Sequence, residues 1–295
     1  MYWQDMREEM FPKAVMEFSG VCVVPFSAMN KKAQYLPVGA DGMIVDSIVR
    51  EAAKSEDVVV FPTGSILGET SDSGASGKGA IQLSQELQLT LLCDLCDEIA
   101  RNGFRKILIV HKEPQDSTFL GLFMRYMGYQ RKPYATLLVS AVNSEISKPE
   151  NVLEEIKKRR GEFPDITEED MKTLKKWAET GYGTKGSSYY QTFDKDVTFC
   201  DAALVMAESP ELVAKDRYEA ESYSSTHASD GLREAFVACS NMQNSDYPRG
   251  CAGLPPHGCT SSIGKAYLKL NAEFMARVFK LVKEDERCVI SDARY

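Results

Sequence analysis

Short apolar runs alternate with amphipathic stretches along the first half of the chain, and this alternation constrains the fold more than any other feature. Runs of strand length predict buried strands at residues 21–25, 57–61, 106–110 and 136–140. Apolar residues at helical spacing predict helices at residues 41–54, 84–102 and 117–127. Strands separated by helices of this length are joined by crossovers between parallel strands. The pattern therefore predicts an α/β fold with a single-layered, mostly parallel sheet and helices on both faces.

The second half of the chain has a different pattern. Residues 146–222 are rich in charge, with one helix predicted over 148–160 and another that opens at a capping box beginning with Thr167. The apolar residues 200–207 predict a short strand, and residues 262–284 predict a long amphipathic helix. We expect one domain over the whole chain, residues 1–295. Within it, residues 146–222 are expected to form a variable segment: a lid, an oligomer arm or a solvated surface insertion.

Composition excludes several classes of function. The 295 residues include 35 Lys and Arg against 43 Asp and Glu, which gives a net charge of −8. An acidic chain lacks the basic face that general nucleic-acid binding requires. No apolar run is long enough to cross a membrane, and the N-terminus shows no signal peptide. We therefore expect a cytoplasmic protein that binds no nucleic acid and no membrane, with its eight cysteines reduced.

Ligands of parallel sheets bind beyond the carboxyl ends of the strands, which directs attention to three loops. These loops are residues 25–41, 62–80 and 111–117. His111 directly follows the strand predicted at 106–110, and Glu113 and Asp116 are close by. By position, His111 is the best candidate for a site residue in the first half of the chain.

The loop at residues 64–79 is rich in Gly and Ser, yet it does not have the spacing of a phosphate-binding P-loop. Asp72 stands where that motif requires Gly, and Gly79 stands where it requires Ser or Thr. Backbone N–H groups of Ser and Gly can approach a small substrate closely. We therefore expect a ligand-facing loop, with Ser71 and Ser73 as candidate substrate-binding residues.

Five segments, in order along the chain, form a set of motifs: Pro25–Asp41 with its ending Leu-Pro-Val-Gly-Ala-Asp, Gly79–Glu86, Gly103–Val110, His227-Ala228 and Ser262–Glu284. Together these segments resemble the creatininase (creatinine amidohydrolase) family. The resemblance covers about residues 18–145 and 224–284 and implies a compact, creatininase-like α/β fold. It also implies a homohexamer and two divalent metals, such as zinc or manganese, that polarise an amide carbonyl and generate a hydroxide nucleophile.

Most positions that match the family's metal ligands carry other residues in this chain. Only Asp41 keeps its type. The substituted positions are Asn30 for Glu, Lys32 and Tyr35 for His, Glu113 for His, and Gln115 for a second ligand. Neutral amide oxygens are poor substitutes for carboxylate or imidazole on zinc or manganese. The resemblance thus implies a degenerate dinuclear site, and true creatininase activity is not expected.

Two hypotheses follow for the charges that remain. In the first, no metal cofactor is bound, and Lys32 supplies a cation between Asp41 and Glu113, because an unpaired buried charge is very costly. In the second, zinc or manganese binds through relocated ligands, namely Asp41, His111, Glu113 and Asp116.

Three functions remain open. The first is a metal-independent enzyme or binder of a small polar, amide-type molecule, with His227, Glu113, Lys32 and His111 as catalytic candidates. Its candidate substrate-binding residues are Asn30, Tyr35, Ser71, Ser73, Gln115 and Glu234. The second is a metal-dependent amidohydrolase that uses the relocated ligands, and the third is a non-catalytic structural subunit of an oligomer.

Overall fold

The three-dimensional structure is a computed structural model of the chain. It describes residues 1–31, 33–62, 78–81, 83–112, 118–180, 197–220, 226–228, 230–235 and 254–286.

A four-stranded parallel sheet forms the centre of the molecule. Its strands are β1 (Val21–Phe26), β2 (Val59–Val60), β3 (Lys106–His111) and β4 (Ala135–Ser140). The strand order is β2-β1-β3-β4, and every neighbouring pair is parallel. All four predicted strands are confirmed, although the one predicted at 57–61 is reduced to two residues at the edge of the sheet.

Helices connect the strands and make up most of the remaining described chain. They are α1 (Phe11–Glu17), α2 (Ala40–Ala52), α3 (Gln85–Arg101), α4 (Thr118–Gln130), α5 (Pro149–Lys158), α6 (Glu168–Glu179), α7 (Val197–Glu208), α8 (Asp230–Glu234) and α9 (Ser261–Glu284). The predicted capping box at the start of α6 is confirmed, because the Thr167 and Asp170 side chains each accept a hydrogen bond from the other residue's backbone N–H.

The two faces of the sheet have separate cores, which confirms the predicted α/β architecture. Side chains alternate along each strand, so Cys22 and Val24 lie on one face while Val21 and Val23 lie on the other. Buried residues of α1, α3 and α4 cover the first face. Buried residues of α2, α5, α6, α7 and α9 cover the second face.

The strand predicted at residues 200–207 is wrong, because these residues belong to α7. A short apolar run without alternation fits a buried strand or a buried helix equally well. Here residues 200–207 are helical and pack against α9 at very close range. A Cβ atom added to Gly264 of α9 would lie only 2.0 Å from the carbonyl oxygen of Ala203. The missing side chain of Gly264 is what allows the two helices to approach.

The segment 146–222 contributes to the main core where the structure describes it. Val152 and Ile156 of α5 and Leu174 of α6 are fully buried in the same cluster as α9. Residues 181–196 lie outside the described part of the chain. The role of the segment as a lid or oligomer arm therefore stays a prediction. Among the described residues, no helix is both long and apolar enough to span a membrane.

Candidate functional site

Three strands end side by side at the carboxyl edge of the sheet, and the polar residues of interest follow them. Phe26 of β1 is aligned with His111 of β3, and His111 is aligned with Ser140 of β4. The backbone N–H of Ala141 donates to the His111 carbonyl at 2.6 Å, which extends the pairing past the strand ends. Lys112 directly follows β3. It therefore lies at the edge of the sheet where ligands of parallel sheets bind.

A buried ammonium lies between two buried carboxylates at this edge. The Lys112 Nζ atom is 2.6 Å from Oδ2 of Asp201 and 3.6 Å from Oδ1 of Asp41. The side chains of all three residues are at most 6% exposed. We call these three residues the Lys112 cluster. It joins the end of β3 to the first turn of α2 and to the middle of α7.

Local structure explains why the carboxylates of Asp41 and Asp201 lie next to Lys112. Asp41 is the second residue of α2, where the N–H groups of the first helical turn favour negative charge. Asp201 is on the face of α7 that packs inward, between residues that belong to the core. Burial by itself lowers the pKa of Lys112, but the charges of Asp201 and Asp41 outweigh burial and raise that pKa above its ordinary value. The ammonium therefore stays protonated at neutral pH.

His111 is buried and neutral. Burial lowers the pKa of its imidazole from 6.5 to about 4. Its Nδ1 atom is buried and has no hydrogen-bond partner among the residues that the structure describes. A neutral imidazole with this pKa is a poor base at neutral pH, but it can still exchange hydrogen bonds with a ligand.

Two further buried polar atoms follow the end of β1. Asn30 Oδ1 and Ser27 Oγ have no hydrogen-bond partner in the described part of the chain. The backbone N–H of Asn30 donates to the Val38 carbonyl at 3.1 Å, which closes the loop before α2. A buried polar atom without a partner costs about 1–3 kcal/mol of stability. In a native protein such an atom is explained by backbone strain, a bound water or ion, or a catalytic role.

Tyr35 lies in the core near the same loop. Its side chain is 1% exposed and meets the Tyr218 ring edge-on, with 5.1 Å between ring centroids. The Tyr35 carbonyl also accepts a hydrogen bond from the Ala214 N–H at 3.0 Å. These contacts give Tyr35 a packing role, and its predicted role in substrate binding stays a prediction.

Two predicted site residues lie at the surface instead. His227 is mostly exposed, and its Nδ1 atom is 3.0 Å from Oδ2 of Asp230. Glu234, the last residue of α8, is also exposed. The described structure does not group either of them with Asp41 and His111, so their catalytic and binding roles stay predictions.

Several predicted site residues lie outside the described part of the chain. They are Lys32, Ser71, Ser73, Glu113, Gln115 and Asp116. The hypothesis that Lys32 pairs with Asp41 and Glu113 therefore stays a prediction.

Two of the three residues in the Lys112 cluster, Lys112 and Asp201, were not predicted from the sequence. A signal existed for Lys112, because the family's Asn-Gly-His loop, which matches His111 to Glu113 of this chain, has Gly at that position. A long cation in place of Gly is a change that a site must accommodate. No comparable signal existed for Asp201, which lies in a stretch predicted as a strand and outside the segments that carry the resemblance.

The described residues around Asp41 do not fit a dinuclear metal centre. Within the described ranges, no group of three or more His, Cys, Asp or Glu side chains is arranged to hold a metal ion. The Lys112 ammonium lies 3.6 Å from Asp41 Oδ1 and repels a dication at that position. Two of the candidate relocated ligands, Glu113 and Asp116, lie outside the part of the chain that the structure describes. The hypothesis that metal binds through relocated ligands therefore stays a prediction.

Fold and site together define an α/β protein with a buried polar cluster at the carboxyl edge of a parallel sheet. The sequence matches the creatininase family, described as creatinine amidohydrolase, over residues 4–279. The chain therefore belongs to the creatininase family. No curated protein matches it.

Solved structures agree with this assignment at the level of the fold. A crystal structure of creatinine amidohydrolase (creatininase) is similar, with a TM-score of 0.68 and 14% identity over 96% of this chain and 98% of that one. A creatininase variant of the Zn–Zn type has a TM-score of 0.66 and 15% identity over 96% and 98%. A manganese creatininase has a TM-score of 0.65 and 14% identity over 96% and 99%.

Proposed function

We propose that this family member binds a small polar molecule of the amide type at the carboxyl edge of the sheet, without a metal cofactor. Lys112 supplies there the positive charge that metals supply in the zinc and manganese relatives. The observation that carries the proposal is the position of the Lys112 ammonium, 3.6 Å from Asp41 and 2.6 Å from Asp201. Asp41 is the one position of the resembling ligand set that keeps its residue type.

The balance of the buried charges of Lys112, Asp41 and Asp201 supports a functional binding site over a pocket that has lost its function. A buried ion pair requires good geometry and further hydrogen bonds to offset the loss of hydration. Replacing such a group by packed apolar residues is often neutral or stabilising. A buried Lys between two buried Asp residues is therefore an arrangement that stability alone does not favour, which supports a role in binding.

Each group has a chemical role toward an amide. The Lys112 ammonium stabilises negative charge on a carbonyl oxygen, as preorganised cations do in water-excluded sites. Neutral His111 and the Asn30 carbonyl offer hydrogen-bonding atoms that lack a partner among the described residues. An Asn30 Oδ1 acceptor suits the N–H of an amide or ureide. Hydrolysis of the bound amide would make the protein a metal-independent amidohydrolase.

Two measurements on the purified full-length chain test the proposal. Plasma mass spectrometry after incubation with zinc or manganese and desalting gives the metal content. Thermal shift with a panel of lactams, cyclic ureides and linear amides identifies ligands, because a ligand at 100 times its dissociation constant adds about 2.7 kcal/mol of stability. Each hit is then tested for turnover by mass spectrometry of the product.

We expect no stoichiometric metal and at least one stabilising amide. Stoichiometric metal that is needed for turnover would overturn the proposal in favour of a metal-dependent amidohydrolase with relocated ligands. Neither metal nor any stabilising ligand would overturn it in favour of a non-catalytic subunit. An Asn30→Leu variant that keeps the thermal shift of a hit would show that the hit binds elsewhere.

A further inference from the structure

The order of the strands opens a crevice between the carboxyl ends of β1 and β3. The chain leaves β1 for α2 on the second face of the sheet, whereas it leaves β3 for α4 on the first face. Because β1 and β3 are neighbours in the sheet, these two connections diverge where the strands end. We call the gap beyond the aligned residues Phe26 and His111 the β1/β3 crevice. Ligands of open α/β sheets bind in a crevice of this kind.

Gln88 is a buried polar residue of α3 at the same edge of the sheet. Helix α3 ends at Arg101, shortly before β3 begins at Lys106, so its last turn lies at the opposite edge. The 17 residues of α3 span about 25 Å, which carries its first turns back to the carboxyl edge. Gln88 precedes the core residue Leu92 by one helical turn and is only 2% exposed. Its side chain is therefore on the inward face of α3.

One end of the Gln88 amide has a partner and the other has none. The Nε2 atom donates a hydrogen bond to the Leu83 carbonyl at 2.8 Å, which fixes the orientation of the amide. The Oε1 atom is buried and has no hydrogen-bond partner among the residues that the structure describes. A carbonyl oxygen can only accept. Gln88 Oε1 and Asn30 Oδ1 are therefore two buried acceptors that each lack a donor in the described chain.

A backbone contact holds the two acceptors' segments together. The Ile81 N–H donates to the Met29 carbonyl at 2.9 Å, in an antiparallel bridge between the loop after β1 and the approach to α3. Met29 directly precedes Asn30, and Leu83, which binds the Gln88 amide, comes two residues after Ile81. Both acceptors thus belong to segments that meet beside the β1/β3 crevice.

We propose that Gln88 binds the ligand of this site, and that the ligand carries two N–H donors, one for Gln88 Oε1 and one for Asn30 Oδ1. A urea-type group meets this requirement, because it has an N–H on each side of its carbonyl. A lactam supplies only one N–H and leaves one buried acceptor unpaired, which is costly. The proposal rests on the proposed amide site and narrows the class of its ligand.

Two small probes that differ by one N–H test the proposal. Ethyleneurea is a cyclic urea with two N–H groups, and γ-butyrolactam has a CH₂ group in place of one of them. Ligand-observed NMR titration of the purified chain gives the dissociation constant of each probe. The same titrations are made with Gln88→Met and with Gln85→Met, and circular dichroism melts confirm that both variants fold. Gln85 is exposed on the same helix, so Gln85→Met is the matched control.

We expect the parent to bind ethyleneurea at least about tenfold more tightly than γ-butyrolactam, because a site built to pair an N–H rejects an analogue that lacks it. Gln88→Met should reduce this preference to within about threefold, whereas Gln85→Met should keep it. A purely structural role of Gln88 would weaken both probes alike and leave their ratio unchanged. A preference that survives in Gln88→Met would overturn the proposal. Equal binding of the two probes by the parent would overturn it without any variant.

The outcomes separate this proposal from the amide site on which it rests. Amide ligands in the wider panel, without a preference for ethyleneurea, would overturn only the role of Gln88. Stoichiometric metal that is needed for turnover would overturn the metal-free function, while a preference that depends on Gln88 would still support the present proposal. Binding of neither probe and of no panel member would overturn both.

Discussion

The Lys112 Nζ atom lies 2.6 Å from Asp201 Oδ2, although the two residues are 89 positions apart in the sequence. Both side chains are almost completely buried, at 6% and 3% exposure. The contact ties the end of β3 to α7. A buried ammonium without a counter-charge is very costly, so this contact fixes where α7 lies against the sheet edge.

Lys112→Met is expected to destabilise the fold strongly. Met keeps much of the length of the side chain but leaves Asp41 and Asp201 buried without the ammonium. Removing one partner of a buried ion pair costs about 3–5 kcal/mol. Chemical denaturation of parent and variant measures the free energy of unfolding.

Lys265→Met is the matched control for that experiment. Lys265 Nζ is 3.1 Å from Asp165 Oδ2, but both side chains are more than half exposed. Exposed pairs contribute about 0–1 kcal/mol. Equal losses in the two variants would contradict the burial of the Lys112 cluster.

Stability is expected to fall as the pH drops from about 6.5 to about 4 because of His111. Its pKa is lowered to about 4 in the folded state by burial, whereas the unfolded chain keeps the ordinary value near 6.5. Between these values the unfolded chain binds more protons, so the free energy of unfolding rises with pH in this window and levels off above it. The shift corresponds to on the order of 3 kcal/mol. Denaturation at a series of pH values measures it.

His111→Asn removes the titrating group and serves as the control. Carboxylates that pair in the folded state also lose stability in acid, mostly at lower pH, and the variant keeps those contributions. We expect the variant's curve to be flatter than the parent's between about pH 4 and about pH 6.5. Parallel curves would mean that His111 is accessible to solvent and protonates freely.

Asn30→Leu is expected to abolish ligand binding while it leaves the free energy of unfolding nearly unchanged. The Asn30 Oδ1 atom is buried and has no hydrogen-bond partner in the described chain, so its removal relieves a cost of burial. We expect the free energy of unfolding to change by no more than about 1 kcal/mol, while the thermal shift caused by an amide ligand is lost. A variant that loses several kcal/mol and still binds would show that Asn30 is a structural residue.

Gly264→Ala is expected to disrupt the contact between α7 and α9. The new Cβ would lie 2.0 Å from the Ala203 carbonyl oxygen, so the helices must separate. Overpacking of this kind costs about 1–3 kcal/mol and occasionally more. Thermal unfolding compares it with Gly231→Ala, whose Cβ meets nothing within 4 Å. The control is expected to be neutral or to gain up to about 1 kcal/mol from helix propensity. A Gly264→Ala melt equal to the control would contradict this packing.

The strands and most helices were predictable because their signals are local. Alternation of apolar runs and helical periodicity located β1 to β4, and the capping box beginning with Thr167 placed the start of α6. Ser84, the first residue of the helix predicted at 84–102, accepts a hydrogen bond from the Leu87 N–H at the start of α3. The α7 segment was mistaken for a strand because a helix that is buried all round loses the periodicity that identifies it.

The sequence by itself determined the α/β class, the parallel sheet and the edge at which polar residues collect, because these depend on patterns within about 20 neighbouring residues. The sequence also showed that Asp41 keeps the residue type of a metal ligand of the family, while the other positions that match metal ligands carry different residues. Only the tertiary structure showed that the Lys112 ammonium meets Asp41. This contact depends on the packing of α7 against the sheet, which brings Asp201 to Lys112. Sequence spacing carries no information about a contact between residues so far apart, since burial and charge balance in the folded core select it.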